Sequence, residues 1–384
     1  MPTIRVLHFI CPTGLHGAER WILALVRHLD PAVVKSHLAV TLEFPGQNIE
    51  VRDLFAPLGH GTHVVSMRHR FDLRGVRALV RIVRREGIDL IHTHGYKSDI
   101  MGLIAARVAG IRALATPHGF ENSREWKLRL FIGLGCASLL FFDRVAPLSN
   151  ELRQDMVRLG VPRSRIRQID NGVDLAELAE SGPPEKTSVF PPDGRKRIGF
   201  VGNLIERKNL DAMIDAFDRL WRRDPNVELV LVGDGPLRRR LESTALARPS
   251  GTHVRFMGYR KDRLRVVQAL DIFTMTSALE GIPRCMMEAM GLRVPVVAFD
   301  IPGVDRLVLP GRTGRLVPFG DAGALAEAWA ETLADPSRAK AMAATAHDQI
   351  VRRFSASRMA REYQDLYRDM VPLAAEKDPE GGIS

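Results

Sequence analysis

Short β-branched, apolar runs alternate along this chain with longer stretches of helical periodicity, and the whole alternation occurs twice. In the first half "TIRVLHFI", "SHLAVTL", "THVVSM", "DLIHTH", "IRALATPH" and "DRVAPLS" read as strands, with patterned segments such as "AERWILALVRHL" and "SDIMGLIAARVAG" between them. The second half repeats the scheme with "RKRIGFVG", "VELVLVG", "HVRFMG", "DIFTMTS", "VPVVAF" and "GRLVPF". Strands separated by helices of about ten residues or more argue for parallel sheets with right-handed crossovers. A chain of 384 residues is too long for one ordinary core and suits two domains of about 170 to 190 residues each.

The expected fold class is therefore α/β, with two Rossmann-like domains whose parallel sheets face a central cleft. The first domain is placed at residues 1–178, a Pro-rich polar linker at 179–196 and the second domain at 197–353. A last helical segment at 354–372 precedes a tail, 373–384, expected to be disordered.

Composition narrows the class. Cys11, Cys136 and Cys285 are scattered, forming neither a disulfide framework nor a zinc pattern, which favours a reducing compartment. The opening "MPTIRVLHFICPTG" is a short apolar run ending in a Gly/Pro turn, a first strand rather than a signal peptide. The longest apolar run, "FIGLGCASLLFF" (131–142), is too short to span a bilayer as a helix. A cytoplasmic protein is expected. The net charge of +10 attracts anions without choosing among nucleotide, phosphate, lipid headgroup or nucleic acid.

Much of that charge is local. Between Arg68 and Gly87 stand seven arginines (Arg68, Arg70, Arg74, Arg77, Arg81, Arg84, Arg85) against Asp72 and Glu86, beside an apolar stripe of Leu73, Val76, Val80 and Val83. This reads as a surface helix with solvated arginines. It also reads as a helix lying on anionic lipid, which would make the protein peripheral on the inner face of the cell membrane. "REWKLRLFIG" (124–133) mixes basic and apolar residues in the same way.

Open parallel sheets bind ligands at the carboxyl ends of strands, where loops meet helix N-termini. After the first strand, "CPTGLHGAER" supplies Gly14 and Gly17, in a spacing that serves a tight turn as well as a ligand loop. His92 and His94 stand at the end of one strand and His118 at the end of the next, where each has either a structural or a chemical role. In "IGFVGNLIERKNLDAMIDAF" Arg207 and Lys208 open a helix whose buried face is Leu210, Met213, Ile214 and Phe217. Two cations at a helix N-terminus oppose its dipole unless an anion sits there, and a diphosphate would answer the conflict. Finally, "ALEGIPRCMMEAMG" (278–291) sets Glu280 on a loop and Glu288 inside the helix that starts at Pro283 and that Gly291 is expected to end. Enclosed carboxylates need donors. Sugar hydroxyls supply them, and so does a neighbouring arginine.

Taken together and in this order, these segments resemble the retaining glycosyltransferases of family 4. "EGIPRCMMEAMGLRVPVVAFDIPGVDRLVLPGRTGRLVP" is similar to the family's donor-site signature, two glutamates separated by seven residues. "GLHGAER", "DLIHTHG", "TPHG", "VGNLIERKNLDAMIDAF" and "LVGDGPLRRRLE" resemble its other corners, so the likeness covers nearly the whole chain.

The resemblance implies a GT-B fold, with the donor mostly held by the second domain, the acceptor by the first, and the closing helix crossing back onto the first domain. It implies that Lys208 and Arg207, near Asn203, hold the donor diphosphate, with the amide of Gly17 helping once the cleft closes. Glu288 would bind ribose hydroxyls, and Glu280 with Gly281, Ile282 and Pro283 the transferred sugar. His118 would lie near the anomeric carbon, with Gly14, His16 and His94 as acceptor-side or auxiliary positions. The implied reaction is sugar transfer from a nucleotide-diphosphate sugar, UDP-linked by preference, to a glycan or lipid-linked acceptor with retention of configuration. Lys208, Glu280 and His118 would be its catalytic groups, with no metal and no cofactor. Two departures stand out: Asn203 replaces the family's usual arginine, and Asp305 takes the place of its usual glutamate.

Two other classes compete. A nucleotide-sugar epimerase of the same fold would release a free sugar. A nucleic-acid-binding protein would use the positive charge, but aromatic residues are 6% of the chain and no nucleic-acid motif is recognised, so no nucleic-acid partner is expected.

Overall fold

All of the expected runs form strands. The computed structural model describes residues 3–58, 61–68, 72–119, 126–180, 182 and 189–371. The first six strands are β1 (Ile4–Ile10), β2 (Val34–Leu42), β3 (Gly61–Ser66), β4 (Leu90–Thr93), β5 (Arg112–Ala115) and the two-residue β6 (Arg144–Val145). They make one parallel sheet in the order β3-β2-β1-β4-β5-β6. The second series is β7 (Lys196–Val201), β8 (Val227–Val232), β9 (Val254–Gly258), β10 (Ile272–Met275), β11 (Val296–Phe299) and β12 (Arg315–Val317). Its order, β12-β11-β10-β7-β8-β9, is the same topology read from the other edge. Each sheet is a Rossmann-like doubly wound sheet, and the pair is the GT-B set of domains. Strands β4, β10 and β11 are buried at every position, as parallel strands covered on both faces must be.

The chain divides into two units, Met1–Asp170 with Ser357–Ser384, and Asn171–Ala356. The first break therefore falls eight residues before the expected domain end at 178. Residues 181 and 183–188 of the Pro-rich linker lie outside the described residues, and packing decides membership. Val173 and Leu178 join the core of the second unit, and the amide of Val173 donates to the Phe354 carbonyl at 2.8 Å. Gly291 is the last residue of helix Arg284–Gly291, with Leu292 as its C-cap. A Cβ there would meet Cδ1 of Leu178 at 2.4 Å, so the glycine serves the close approach of helix Leu175–Glu180.

In the first unit, helix Leu73–Glu86 starts where the Asp72 carboxylate accepts from the Arg74 amide and stops at Gly87, whose φ is 61°. Val76, Val80 and Val83 are buried and Arg74, Arg77, Arg81, Arg84 and Arg85 are exposed, while Leu73, at the first turn, is 72% exposed. Helix Ala356–Met370 buries Tyr363 and Tyr367 completely. Arg70, the start of the basic stretch at 124–125 and the tail 373–384 lie outside the described residues. Among the described residues no helix is long and apolar enough to cross a membrane.

Candidate functional site

In each sheet the strand order reverses once, between β1 and β4 and between β7 and β10. Loops leaving the two strands at such a point diverge to opposite faces and leave a crevice. In the second unit those loops are residues 202–209 after β7 and 276–283 after β10.

The two loops are tied together. The Ala278 amide donates to the Arg207 carbonyl at 2.8 Å, and the Thr276 hydroxyl to the Lys208 carbonyl at 2.9 Å. Arg207 and Lys208 are in a 3-10 turn, Glu206–Lys208, one residue ahead of helix Leu210–Trp221. Asn209 links turn and helix with φ 49°, a left-handed conformation that asparagine tolerates better than most residues. This geometry turns the Lys208 side chain inward, and its Nζ lies 2.5 Å from Oε1 of Glu280. Both residues are 8% exposed, whereas Arg207 and Asn203 are exposed.

The Glu280 corner is supported from below. Gly303 has φ 90°, and a Cβ on it would lie 1.7 Å from the Gly281 carbonyl oxygen, so only glycine lets the 301–305 loop back this corner. Asp305, an exposed residue, accepts from the Gly303 amide at 2.9 Å, which gives that departure from the family pattern a loop-fixing task. The amides of Gly281 and Ile282 donate to no described residue and remain available to an acceptor. Pro283 is the extended N-cap of helix Arg284–Gly291, one position earlier than the expected first helical residue.

Glu288 is 2% exposed. Its donors in the structure are arginines: Arg263 Nη2 at 2.7 Å and Arg284 Nε at 2.9 Å, both on Oε1. Burial pushes its carboxyl up, but the two guanidinium charges more than offset that and hold it below the usual value of 4.5. The arginine partner that the sequence offered as one of two donor sources is formed.

The first unit gathers histidines at its own reversal point. His8 of β1 and His94 beyond β4 approach at 3.2 Å, Nδ1 to Nε2, and His118 Nε2 reaches His94 Nδ1 at 3.4 Å. His92 contacts the Tyr367 hydroxyl through Nδ1 at 2.8 Å and the Thr116 hydroxyl through Nε2 at 2.7 Å. Trp21 stands edge-on to His92 and His118. Burial, with help from neighbouring imidazoles, pushes His92 and His94 well below 6.5, and burial alone takes His118 down to about 3. These rings are neutral near pH 7. They can donate and accept hydrogen bonds, but His118 is a weak base and carries no charge.

Gly14 packs its backbone against the His16 ring, where a Cβ would meet Nε2 at 2.7 Å. His16 is the N-cap of helix Gly17–His28, and its amide donates to Glu19 Oε2 at 3.0 Å. A Cβ on Gly17 would meet nothing within 4 Å, so that helix end is open to a ligand.

Sequence reading missed His8, Glu177, Arg263 and the Tyr363–Tyr367 pair. Arg284 was within reach, since it precedes Glu288 by four residues on one helix and so shares its face. For Arg263 and Glu177 no local signal exists; Arg263 meets Glu288, and Glu177 meets the two arginines, only through tertiary packing.

Comparison with known proteins also divides the chain in two, between residues 177 and 183 rather than after Asp170. The family described as Glycosyltransferase Family 4 matches residues 15–177, and that described as Glycosyl transferases group 1 matches residues 183–349. The chain is 28% identical over 314 residues to the UDP-Gal:alpha-D-GlcNAc-diphosphoundecaprenol alpha-1,3-galactosyltransferase of Escherichia coli, covering 78% of this chain and 80% of that one. It is 27% identical over 312 residues to the alpha-maltose-1-phosphate synthase of Mycolicibacterium smegmatis, covering 74% and 79%. Among solved structures, Anabaena HepE in complex with UDP superposes with a TM-score of 0.81 at 19% identity, covering 95% of this chain and 100% of that one. At that identity the likeness speaks for the fold.

Proposed function

The chain belongs to the group 1, family 4 glycosyltransferases, and from that premise we propose that it moves a hexose from a nucleotide-diphosphate sugar, UDP-linked by preference, to a glycan or lipid-linked acceptor with retention of configuration. Its place would be in building a cell-surface polysaccharide or glycolipid, in the cytoplasm and against the inner membrane face. The E. coli relative named for a UDP-galactose donor and a diphosphoundecaprenol acceptor supports that class.

One observation carries the reading: Lys208 and Glu280 meet from the two loops that flank the β7/β10 reversal point. A cation and a carboxylate there match the two ends of a donor, diphosphate and sugar hydroxyls. In the reaction the bond between C1 and the diphosphate oxygen breaks, and an acceptor hydroxyl oxygen bonds C1 on the same face. The acceptor's proton leaves with the departing phosphate oxygen. Lys208 and Arg207 set positive charge against the diphosphate as it leaves, so no step is routed through a metal or cofactor. The amides of Gly281 and Ile282 and the Glu280 carboxylate would orient the sugar, Glu288 the ribose. Neutral His118 would hydrogen-bond to the sugar rather than take a proton. Gly17 would offer its amide to the diphosphate; Gly14, His16 and His94 shape the acceptor side.

The test is thermal stabilisation by UDP, GDP, ADP and dTDP, each free and hexosylated. Selective stabilisation by one base is expected, since a ligand of the native state raises the melting temperature. The stabilising donor is then incubated with glycan and lipid acceptors, and the anomeric configuration of the product is determined. No stabilisation by any of them refutes the donor site; an inverted product, or a free epimerised sugar, refutes the reaction.

A further inference from the structure

Behind Glu288 lies a closed ring of charges. Arg263 and Arg284, which share Glu288 Oε1, are both held from behind by Glu177. Glu177 Oε1 lies 3.2 Å from Arg263 Nη2 and Oε2 lies 2.8 Å from Arg284 Nη2. The ring draws on three helices, Leu175–Glu180, Arg263–Gln268 and Arg284–Gly291. It is enclosed: the side chains of Glu288, Arg263, Arg284 and Glu177 are 3%, 11%, 14% and 25% exposed. Two carboxylates against two guanidinia leave it formally neutral.

Its geometry is unusual in one respect. An arginine fork prefers to grip both oxygens of one carboxylate. Here the fork of Arg284 is split, with Nε on Glu288 and Nη2 on Glu177. Arg263 Nη2 is likewise divided between the two acids. The consequence is that both arginine contacts of Glu288 fall on Oε1 and neither engages Oε2.

We propose that this ring is a presenting clamp for the donor ribose: Glu177 draws the guanidinia aside so that Glu288 keeps Oε2 for ribose hydroxyls. The proposal rests on the reading of Glu288 as the ribose-binding carboxylate. Glu177 is then a positioning residue that acts through two arginines and is assigned no donor contact. Without it the Arg284 fork closes on both Glu288 oxygens, and the ribose loses its acceptor. Discrimination for the ribose, rather than affinity for the base or phosphates, is what the clamp governs.

The experiment compares wild type, Glu177→Ala, Glu177→Gln and Arg284→Lys. Calorimetry gives the affinity of each for the best-bound of UDP, GDP and ADP and for the 2′,3′-dideoxy form of that nucleotide. Circular dichroism and melting curves check that each variant is folded. Wild type is expected to prefer the ribonucleotide by about tenfold or more, the worth of a hydrogen bond to a charged group. Both Glu177 variants are expected to shrink that preference to about threefold or less with the dideoxy affinity unchanged. Arg284→Lys, which keeps the charge but cannot fork across both Glu288 oxygens, should keep the preference. A Glu177 variant with the wild-type preference, or one losing both ligands equally, overturns the clamp. If wild type binds a diphosphate without preferring its ribose, Glu288 is misassigned and the clamp falls with it. If no diphosphate binds, the donor site itself is refuted.

Discussion

Lys208 Nζ and Glu280 Oε1 lie 2.5 Å apart although 72 positions separate them in the chain. Each is almost enclosed, so each is the other's main compensation for leaving water. On the proposed reading, a donor entering between them would give the lysine a diphosphate and the glutamate sugar hydroxyls in exchange.

Lys208→Met strands a buried carboxylate and is expected to destabilise the fold by about 3 kcal/mol. Lys208→Met with Glu280→Gln removes both charges and should recover more than half of that loss. Denaturant unfolding measures it. Sugar transfer should be lost in both variants, so recovered stability with lost activity separates the structural task of the pair from the chemical one. A double variant no more stable than the single one would show that the pair carries no coupling.

The neutral histidines make stability depend on pH. An imidazole that titrates near 6.5 when unfolded and at about 3 when folded, as His118 does, binds a proton only in the unfolded chain between those values. Its contribution is full above pH 6.5 and declines as the pH falls toward 3. His92 and His94 act in the same sense. Asp99 opposes them: burial takes it to about 7, so its contribution weakens as pH rises from 3.8 to 7. His118→Gln should flatten the stability slope between pH 6.5 and about 4 by roughly 1.4 kcal/mol per pH unit. Unfolding curves across that range check it, and an unchanged slope would mean that His118 is not held neutral in the folded chain.

Gly303→Ala places a Cβ 1.7 Å from the Gly281 carbonyl at a φ of 90°. Strain and overpacking together are expected to cost about 2 to 4 kcal/mol. Because the displaced neighbour is the Glu280–Pro283 corner, nucleotide-sugar affinity should fall further than affinity for the nucleotide alone. Equal losses for both ligands would deny the corner a part in holding the sugar.

The exposed arginines of helix Leu73–Glu86 project away from its buried valines. Sedimentation with vesicles rich in anionic lipid is expected, weakening as salt shortens the screening length to about 3 Å at 1 M. Arg77→Glu with Arg81→Glu should abolish it. Unchanged sedimentation of that variant would remove the helix as a membrane contact.

Much of the fold was legible because parallel strands buried on both faces write themselves as continuous apolar runs, and all of the runs proposed became strands. The corners were legible too, since glycine, proline and charge at strand ends have few other uses. Glu280 lies on the loop after β10, where the spacing put it, and Lys208 in the turn ahead of helix Leu210–Trp221. What failed was local inference about boundaries and partners. The linker composition misplaced the first division because apolar packing of Val173 and Leu178 assigns those residues to the second unit. Gly291 read as a stop signal and the helix does end there, but its close approach to Leu178 had no signal in the local sequence.

Sequence by itself thus determined the periodicities, the turn residues and the chemical types at each corner, since these depend on neighbours along the chain. Only the tertiary structure decided which charges face one another: that Lys208 meets Glu280, that His94 joins His8 to His118, and that Glu288 is shared by Arg263 and Arg284 with Glu177 behind them. Electrostatic partnership acts over a few ångströms of space, and residues that close are tens of positions apart in the chain.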